Sequence, residues 1–218
     1  MFKLIPAKEK KKLRNVTLLF IYSIFAIFFL INGGGLFSEW DASWTVTTLI
    51  YLVSVCTFLV VSEKLPKKEE DYIDKQFEQP ISKSIIGFCF TFPIVTILFI
   101  LIKDSGLYFQ NLAPMPLYLI PATIIYQLVI VVSSEEIIFR GVIFRWLYRF
   151  HWIIAWVGSA ALFALFHLAV YGGSVGNLFI AFLMGIVLAW AVDRWNLGVA
   201  IAIHFAWNIF ILIIGGYI

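Results

Sequence analysis

The chain has 218 residues, of which 62% are hydrophobic and only 13% are charged, and it contains 22 Phe and 8 Trp. This composition excludes an ordinary soluble domain and predicts a polytopic membrane protein. The formal net charge is +3, but the Lys and Arg residues are distributed by side of the membrane, so no nucleic-acid partner is expected.

About seven apolar runs are each long enough to cross a bilayer, which takes roughly 20 residues. They lie at 15–32, 44–62, 84–102, 115–134 or beyond, 152–171, 177–192 and 198–216. The predicted fold class is therefore all-α, a polytopic bundle of about seven transmembrane helices, with six to eight as the range. Because the sequence contains no internal repeat or low-complexity tract, residues 1–218 are predicted to form a single integral membrane domain.

The basic residues predict the orientation of the bundle. Six Lys and Arg residues precede the first run, and no small-residue cleavage site follows it, so this run is predicted to be an uncleaved span. More lysines lie in the polar segment 62–83, whereas the first connection holds Glu39 and Asp41 but no Lys or Arg. By the positive-inside rule, the N-terminus and segment 62–83 are cytoplasmic.

The fourth run is too long for a simple span. Few polar residues interrupt the apolar pattern from Met115 to Tyr148, and a helix of this length would be roughly 50 Å long. Either the span ends near Ser134 and a surface helix follows, or the helix continues and Glu135 lies at membrane depth.

Polar residues from three runs are predicted to converge. If the fourth and fifth runs form an antiparallel hairpin that turns near His151, Glu135 and His167 are each sixteen residues from the turn and lie at the same depth. In the seventh run, His204 and Asn208 are four residues apart and share one helical face. We therefore expect these four side chains to line one cavity.

The two adjacent glutamates have separable roles. Glu136 and Arg140 form an i, i+4 pair that predicts a salt bridge, whereas Glu135 points about 100° away around the helix. An unpaired carboxylate at membrane depth requires water, an imidazole or a nearby cation. Each polar residue also has a purely structural interpretation, as an ion pair or as an interhelical hydrogen bond.

A carboxylate and an imidazole that together deprotonate water suit the hydrolysis of an amide. Glu135 is then the general base, His167 orients the attacking water, and His204 and Asn208 bind the developing oxyanion. The sequence has no Gly-x-Ser-x-Gly elbow, so a covalent nucleophile is not predicted, and it has no HExxH helix. A zinc site formed by Glu135, His167 and His204 stays open as an alternative.

Three short motifs carry a family resemblance. They are "EEIIFRG" at 135–141, "FALFH" at 163–167 and "HFAWN" at 204–208. In this order they resemble the EExxxR, FxxxH and HxxxN motifs of the CAAX protease and bacteriocin-processing family, also called Abi or CPBP. The resemblance makes residues 115–216 the predicted motif-bearing core, whereas residues 15–110 contribute N-terminal spans and the cytoplasmic loop.

This resemblance implies an intramembrane endopeptidase, a hydrolase of the metal-independent glutamate type that uses no cofactor. It implies that Glu135 and His167 activate the water. It also implies that His204 and Asn208 bind the oxyanion, and that Glu136 and Arg140 support the first motif. The expected partners are the lipid bilayer and a peptide or membrane-associated protein, lipid-modified in some relatives. The expected location is the cell membrane of a bacterium or an archaeon.

Other functions compete with this prediction. A zinc-dependent protease would use the same residues. A non-catalytic membrane immunity or scaffolding protein would keep the polar cluster for packing, and substitutions in it would then change stability more than function. A proton-coupled transporter is less well supported, because the sequence shows no inverted repeat.

Overall fold

The computed structural model describes residues 20–32, 42–62, 81–103, 118, 120–168 and 175–217. The described residues form seven helices and no strand, so the predicted all-α class is confirmed. The helices α1 to α7 are Phe20–Asn32, Ala42–Ser62, Ile81–Lys103, Ile120–Tyr148, Trp152–Phe166, Val175–Arg194 and Leu197–Tyr217. One helix lies on each apolar run of the sequence.

Two helices, α4 with 29 residues and α6 with 20, are long and apolar enough to cross a membrane by length and composition. Within the described side chains, α1, α3, α5 and α7 supply shorter apolar segments. The count of about seven spans stays a prediction. The polar segment 62–83, predicted as a cytoplasmic loop, lies almost entirely outside the described residues.

Helix α4 continues without a break past Ser134, so of the two alternatives for the fourth run the long helix is the one observed. Its backbone is π-helical over Tyr126–Val132 and Ile137–Phe144, on either side of an α-helical turn at Ser133–Glu136. Wide π-helical turns inside α-helices frequently mark functional sites. Here they flank the turn that carries both glutamates.

Helix α4 lies between two apolar clusters. On one side it packs with α1 and α2 through side chains that include Phe29, Val55 and Ile130. On the other side the larger cluster joins α4 to helices α5, α6 and α7, with Phe144 and Leu188 fully buried. The glutamates of α4 are therefore enclosed by protein and not by solvent.

Tight connections hold the C-terminal helices in place. Helices α5 and α6 approach closely, because a Cβ atom added at Gly185 would lie only 2.8 Å from the Cα atom of Ala160. At the α6–α7 turn, the side chain of Asn196 accepts a hydrogen bond from the Val199 backbone and donates another to Ser84 of α3, each 2.9 Å long. These contacts fix where α7 begins.

The hairpin predicted from the sequence is present. Helix α4 ends at Tyr148, and α5 begins after His151, whose Nδ1 atom accepts a hydrogen bond from the Ile153 backbone at 3.2 Å. Helix α5 ends at Phe166, earlier than the run to residue 171 predicted, so His167 follows the last helical residue.

Candidate active site

Glu135 lies in the middle of α4 and is only 3% exposed. The phenolic oxygen of Tyr51, on α2, donates a hydrogen bond to its Oε1 atom at 2.5 Å. The other oxygen, Oε2, has no hydrogen-bond partner among the described residues and lies 3.8 Å from Nε2 of His167 and 3.7 Å from Nε2 of His204. The structure therefore brings the carboxylate and both imidazoles together, as the sequence predicts.

The position of His167 depends on how α5 ends. Its backbone N–H bonds to the carbonyl of Ala164, three residues earlier, instead of continuing the α-helical pattern. The carbonyl of Phe163 instead accepts a hydrogen bond from the side chain, from Nδ1 of His167 at 2.9 Å. This contact turns Nε2 toward Glu135, and the ring packs against Phe163 with 4.5 Å between centroids.

Glu136 binds the imidazole of His204. Its Oε1 atom accepts hydrogen bonds from Nη1 of Arg140 at 3.1 Å and from Nδ1 of His204 at 2.8 Å. The predicted salt bridge between Glu136 and Arg140 is thus observed, and both side chains are fully buried. The two glutamates point in different directions, because adjacent helical positions are about 100° apart, and the ring of His204 lies between their carboxylates.

Arg140 is buried against α5 and α6 and makes contacts beyond Glu136. Its Nη2 atom donates to the Gly185 carbonyl at 3.2 Å, and its guanidinium group lies 4.4 Å from the centroid of the Phe163 ring. A planar guanidinium group suits this combination of ion pairing and stacking. Arg140 joins three helices and does not contact Glu135 in a hydrogen bond.

Asn208 lies one helical turn beyond His204 on the same face of α7. Its Nδ2 atom donates a hydrogen bond to Oε1 of Gln127 at 3.1 Å, on the part of α4 that precedes the glutamates. A carboxamide nitrogen carries two hydrogens, so the second N–H remains available to a ligand. Gln127 is not among the residues that the motifs single out, although it is a polar residue in an apolar run.

Tyr51 is the other residue that the sequence reasoning missed. It belongs to the second apolar run, well outside the motifs, and a Tyr in a membrane helix gives no distinctive signal. Its closeness to Glu135 depends entirely on how α2 packs against α4. A hydrogen bond between Tyr22 and Ser134 similarly joins α1 to the residue that precedes Glu135.

The hydrogen-bond partners determine which imidazole nitrogen carries a proton. A backbone carbonyl can only accept, and the Glu136 carboxylate, paired with Arg140, also accepts, so Nδ1 donates in both His167 and His204. In the neutral rings, both Nε2 atoms are then acceptors. Together with Oε2 of Glu135 they form a cluster that suits a hydrogen donor such as water.

The same three atoms are the candidate zinc ligands. An Nδ1–H group that donates to a carboxylate or a carbonyl is the usual arrangement behind a metal-bound histidine. No cluster of three His, Cys, Asp or Glu side chains with metal-binding geometry was found in the described part of the chain. The donor set fits zinc by type, and the ligand distances of about 2.0 Å that zinc requires would need a small closure of the site.

The segment that contains this site matches a known protein family. Residues 117–210 match the family model described as type II CAAX prenyl endopeptidase Rce1-like. The matched segment includes Glu135, Glu136, Arg140, His167, His204 and Asn208, whereas no curated protein and no solved structure matches the chain. The resemblance to the CAAX protease family that the three motifs predict is thus confirmed over residues 117–210, and the matching Rce1-like family is a family of membrane proteases.

Proposed function

We propose that this protein is an intramembrane endopeptidase that hydrolyses a peptide bond with a water molecule activated by Glu135. The observation that carries the proposal is the convergence of three polar atoms, Oε2 of Glu135 and Nε2 of His167 and His204, inside an apolar bundle. A buried carboxylate between two oriented imidazoles suits general-base catalysis.

In the first step, water binds between Glu135 and His167. Its oxygen attacks the carbonyl carbon of the scissile peptide bond, its proton moves to Oε2 of Glu135, and the carbonyl π electrons move to the oxygen. The tetrahedral intermediate carries an oxyanion, which needs hydrogen-bond donors that are already in place. Asn208 provides one through its second amide hydrogen.

His204 can be the second donor only if Nε2 also carries a proton, because Nδ1 already donates to Glu136. In the second step the intermediate collapses, the C–N bond breaks, and the leaving amine takes the proton held by Glu135. The products are a carboxylic acid and an amine, which exchange a proton to give a carboxylate and an ammonium group, and the glutamate returns to its starting form.

The proposed substrate is a peptide or a membrane-associated protein tail that reaches the site from the cytoplasmic half of the membrane. The word "prenyl" in the description of the matching family favours a lipid-modified tail as one of the substrates to test. We place the N-terminus in the cytoplasm, in a bundle of about seven spans, because the basic residues cluster before the first helix.

A zinc-dependent version of the enzyme is the second candidate. It is favoured by one observation, namely that both histidines donate from Nδ1 to an acceptor and direct Nε2 toward Glu135. In that version the metal would be held by Glu135, His167 and His204, and it would supply the Lewis acid that polarises water. The metal-free mechanism requires no closure of the site.

The test is peptide cleavage by the purified protein in detergent and in liposomes. A peptide library with free and with prenylated C-terminal cysteines is incubated with wild type, with Glu135→Gln and with chelator-treated wild type, and products are read by mass spectrometry. We expect cleavage by wild type, with or without chelator, and none by Glu135→Gln at an unchanged melting temperature.

Each other outcome points to a different function. Cleavage lost after chelation and restored by zinc would support the metal-dependent enzyme. A folded wild type that cleaves neither peptide set would contradict the proposal and favour the non-catalytic immunity or scaffolding protein.

A further inference from the structure

The hydrogen bond between Tyr51 and Glu135 joins two parts of the chain that are far apart in sequence, because the residues are 84 positions apart. Tyr51 lies on α2, outside the segment 117–210 that matches the protease family. Its side chain is 3% exposed, and its ring lies 6.3 Å from that of Phe166, the residue before His167. Tyr51 thus touches the elements that carry both water-activating residues.

The two oxygens of Glu135 have different surroundings as a result. Oε1 accepts the Tyr51 hydroxyl, whereas Oε2 is directed at the two imidazoles. A carboxyl group can rotate about its last torsion angle, and this torsion is broad and nearly two-fold. Without the hydroxyl, nothing else among the described residues donates a hydrogen bond to either oxygen.

We propose that Tyr51 is a positioning residue of this protease, which fixes the carboxylate of Glu135 by binding Oε1 so that Oε2 alone receives the proton of the attacking water. The inference rests on the proposed function. It assigns a role in the reaction to α2, through a contact that does not involve the substrate.

The structure offers a matched control. Tyr126 of α4 forms a buried hydrogen bond of 2.9 Å with Thr48 of α2, about one turn from Tyr51. The Tyr126→Phe variant therefore removes a tyrosine hydroxyl that joins the same two helices, but leaves Glu135 with its donor. Tyr51→Phe keeps the ring and its contact with Phe166 and removes only the hydroxyl that binds Glu135.

The experiment measures kcat, KM and the melting temperature of wild type, Tyr51→Phe, Tyr126→Phe and Glu135→Gln on one cleaved peptide. For Tyr51→Phe we expect kcat to fall roughly 10- to 100-fold with little change in KM, because a displacement of about 1 Å in a reacting group can cost on the order of 10²-fold. Tyr126→Phe should keep a kcat within about twofold of wild type, and its melting temperature should be similar to that of Tyr51→Phe.

Three outcomes would overturn the inference. A Tyr51→Phe variant with the kcat of wild type would show that the hydroxyl does not position the carboxylate. Equal losses in Tyr51→Phe and Tyr126→Phe, in proportion to their folded fractions, would show a structural role only. A wild type that cleaves nothing would remove the proposed function and this role together, which distinguishes that failure from the other two.

Discussion

Nδ1 of His204 donates a hydrogen bond of 2.8 Å to Oε1 of Glu136, across 68 positions of sequence. The same carboxylate oxygen accepts from Arg140, so one glutamate holds a cation and an imidazole at once. This arrangement separates the tasks of the two adjacent glutamates. Glu136 fixes the orientation of a ring, whereas Oε2 of Glu135 accepts no hydrogen bond from any described residue.

The two glutamates should therefore respond differently to the same conservative change. Glu136→Gln leaves the buried charge of Arg140 without its counter-ion, and breaking a buried ion pair typically costs about 3–5 kcal/mol of unfolding free energy. Glu135→Gln keeps an acceptor for Tyr51 and should leave stability nearly unchanged. Thermal unfolding of both variants in one detergent checks this contrast. Equal melting temperatures would contradict the assignment.

The two histidines should also be distinguishable. His167→Ala removes a side chain that orients water in the proposed mechanism, so we expect kcat to fall by roughly 10²- to 10⁴-fold, as for the loss of a general acid–base group. Because this side chain bonds to a carbonyl at the end of α5, we expect little change in melting temperature. His204→Ala should lower both kcat and the melting temperature, because it removes a buried partner of Glu136. A large loss of stability in His167→Ala would argue against this division.

Asn208 and Gln127 are joined by a hydrogen bond, and in the proposed mechanism Asn208 binds the oxyanion while Gln127 orients its amide. Asn208→Ala should lower kcat by about 10²- to 10³-fold, the effect typical of removing an oxyanion donor. Gln127→Ala removes only the anchor of the Asn208 amide, so its effect on kcat should be several-fold smaller. Steady-state kinetics on one peptide compares them, and a larger effect at Gln127 would contradict the roles.

The close contact of α5 and α6 predicts a difference between two glycines. A Cβ at Gly185 would lie 2.8 Å from the backbone of Ala160, whereas one at Gly158 would meet only the end of the flexible Leu147 side chain at the same distance. Gly185→Ala should therefore destabilise the protein by about 1–3 kcal/mol, the usual effect of overpacking. Gly158→Ala should be nearly neutral. Denaturant unfolding measures both, and a neutral Gly185→Ala would exclude close packing there.

Much of the site could be predicted because helical geometry relates sequence distance to position. The turn near His151 places Glu135 and His167 at equal depth, and the observed Nε2–Oε2 distance of 3.8 Å agrees with that symmetry. The i, i+4 spacing likewise predicted the Glu136–Arg140 ion pair, which is observed. The roles assigned to the individual residues in catalysis stay predictions.

Other features could not be derived in this way. The bond between Glu136 and His204 depends on the rotation of α7 about its axis, and the π-helical turns of α4 shift its faces away from the regular 3.6-residue period. The end of α5 at Phe166 depends on a side chain that takes over a backbone acceptor. None of these follows from spacing alone.

The sequence by itself determined the all-α class, the positions of the apolar helices and the residues that carry the motifs, because hydrophobic length and helical period are local properties of a chain. Tertiary structure alone decided that Tyr51 binds one oxygen of Glu135, that Glu136 binds His204, and that Gln127 binds Asn208. These contacts join residues on different helices, and their geometry depends on how the helices rotate and pack against one another.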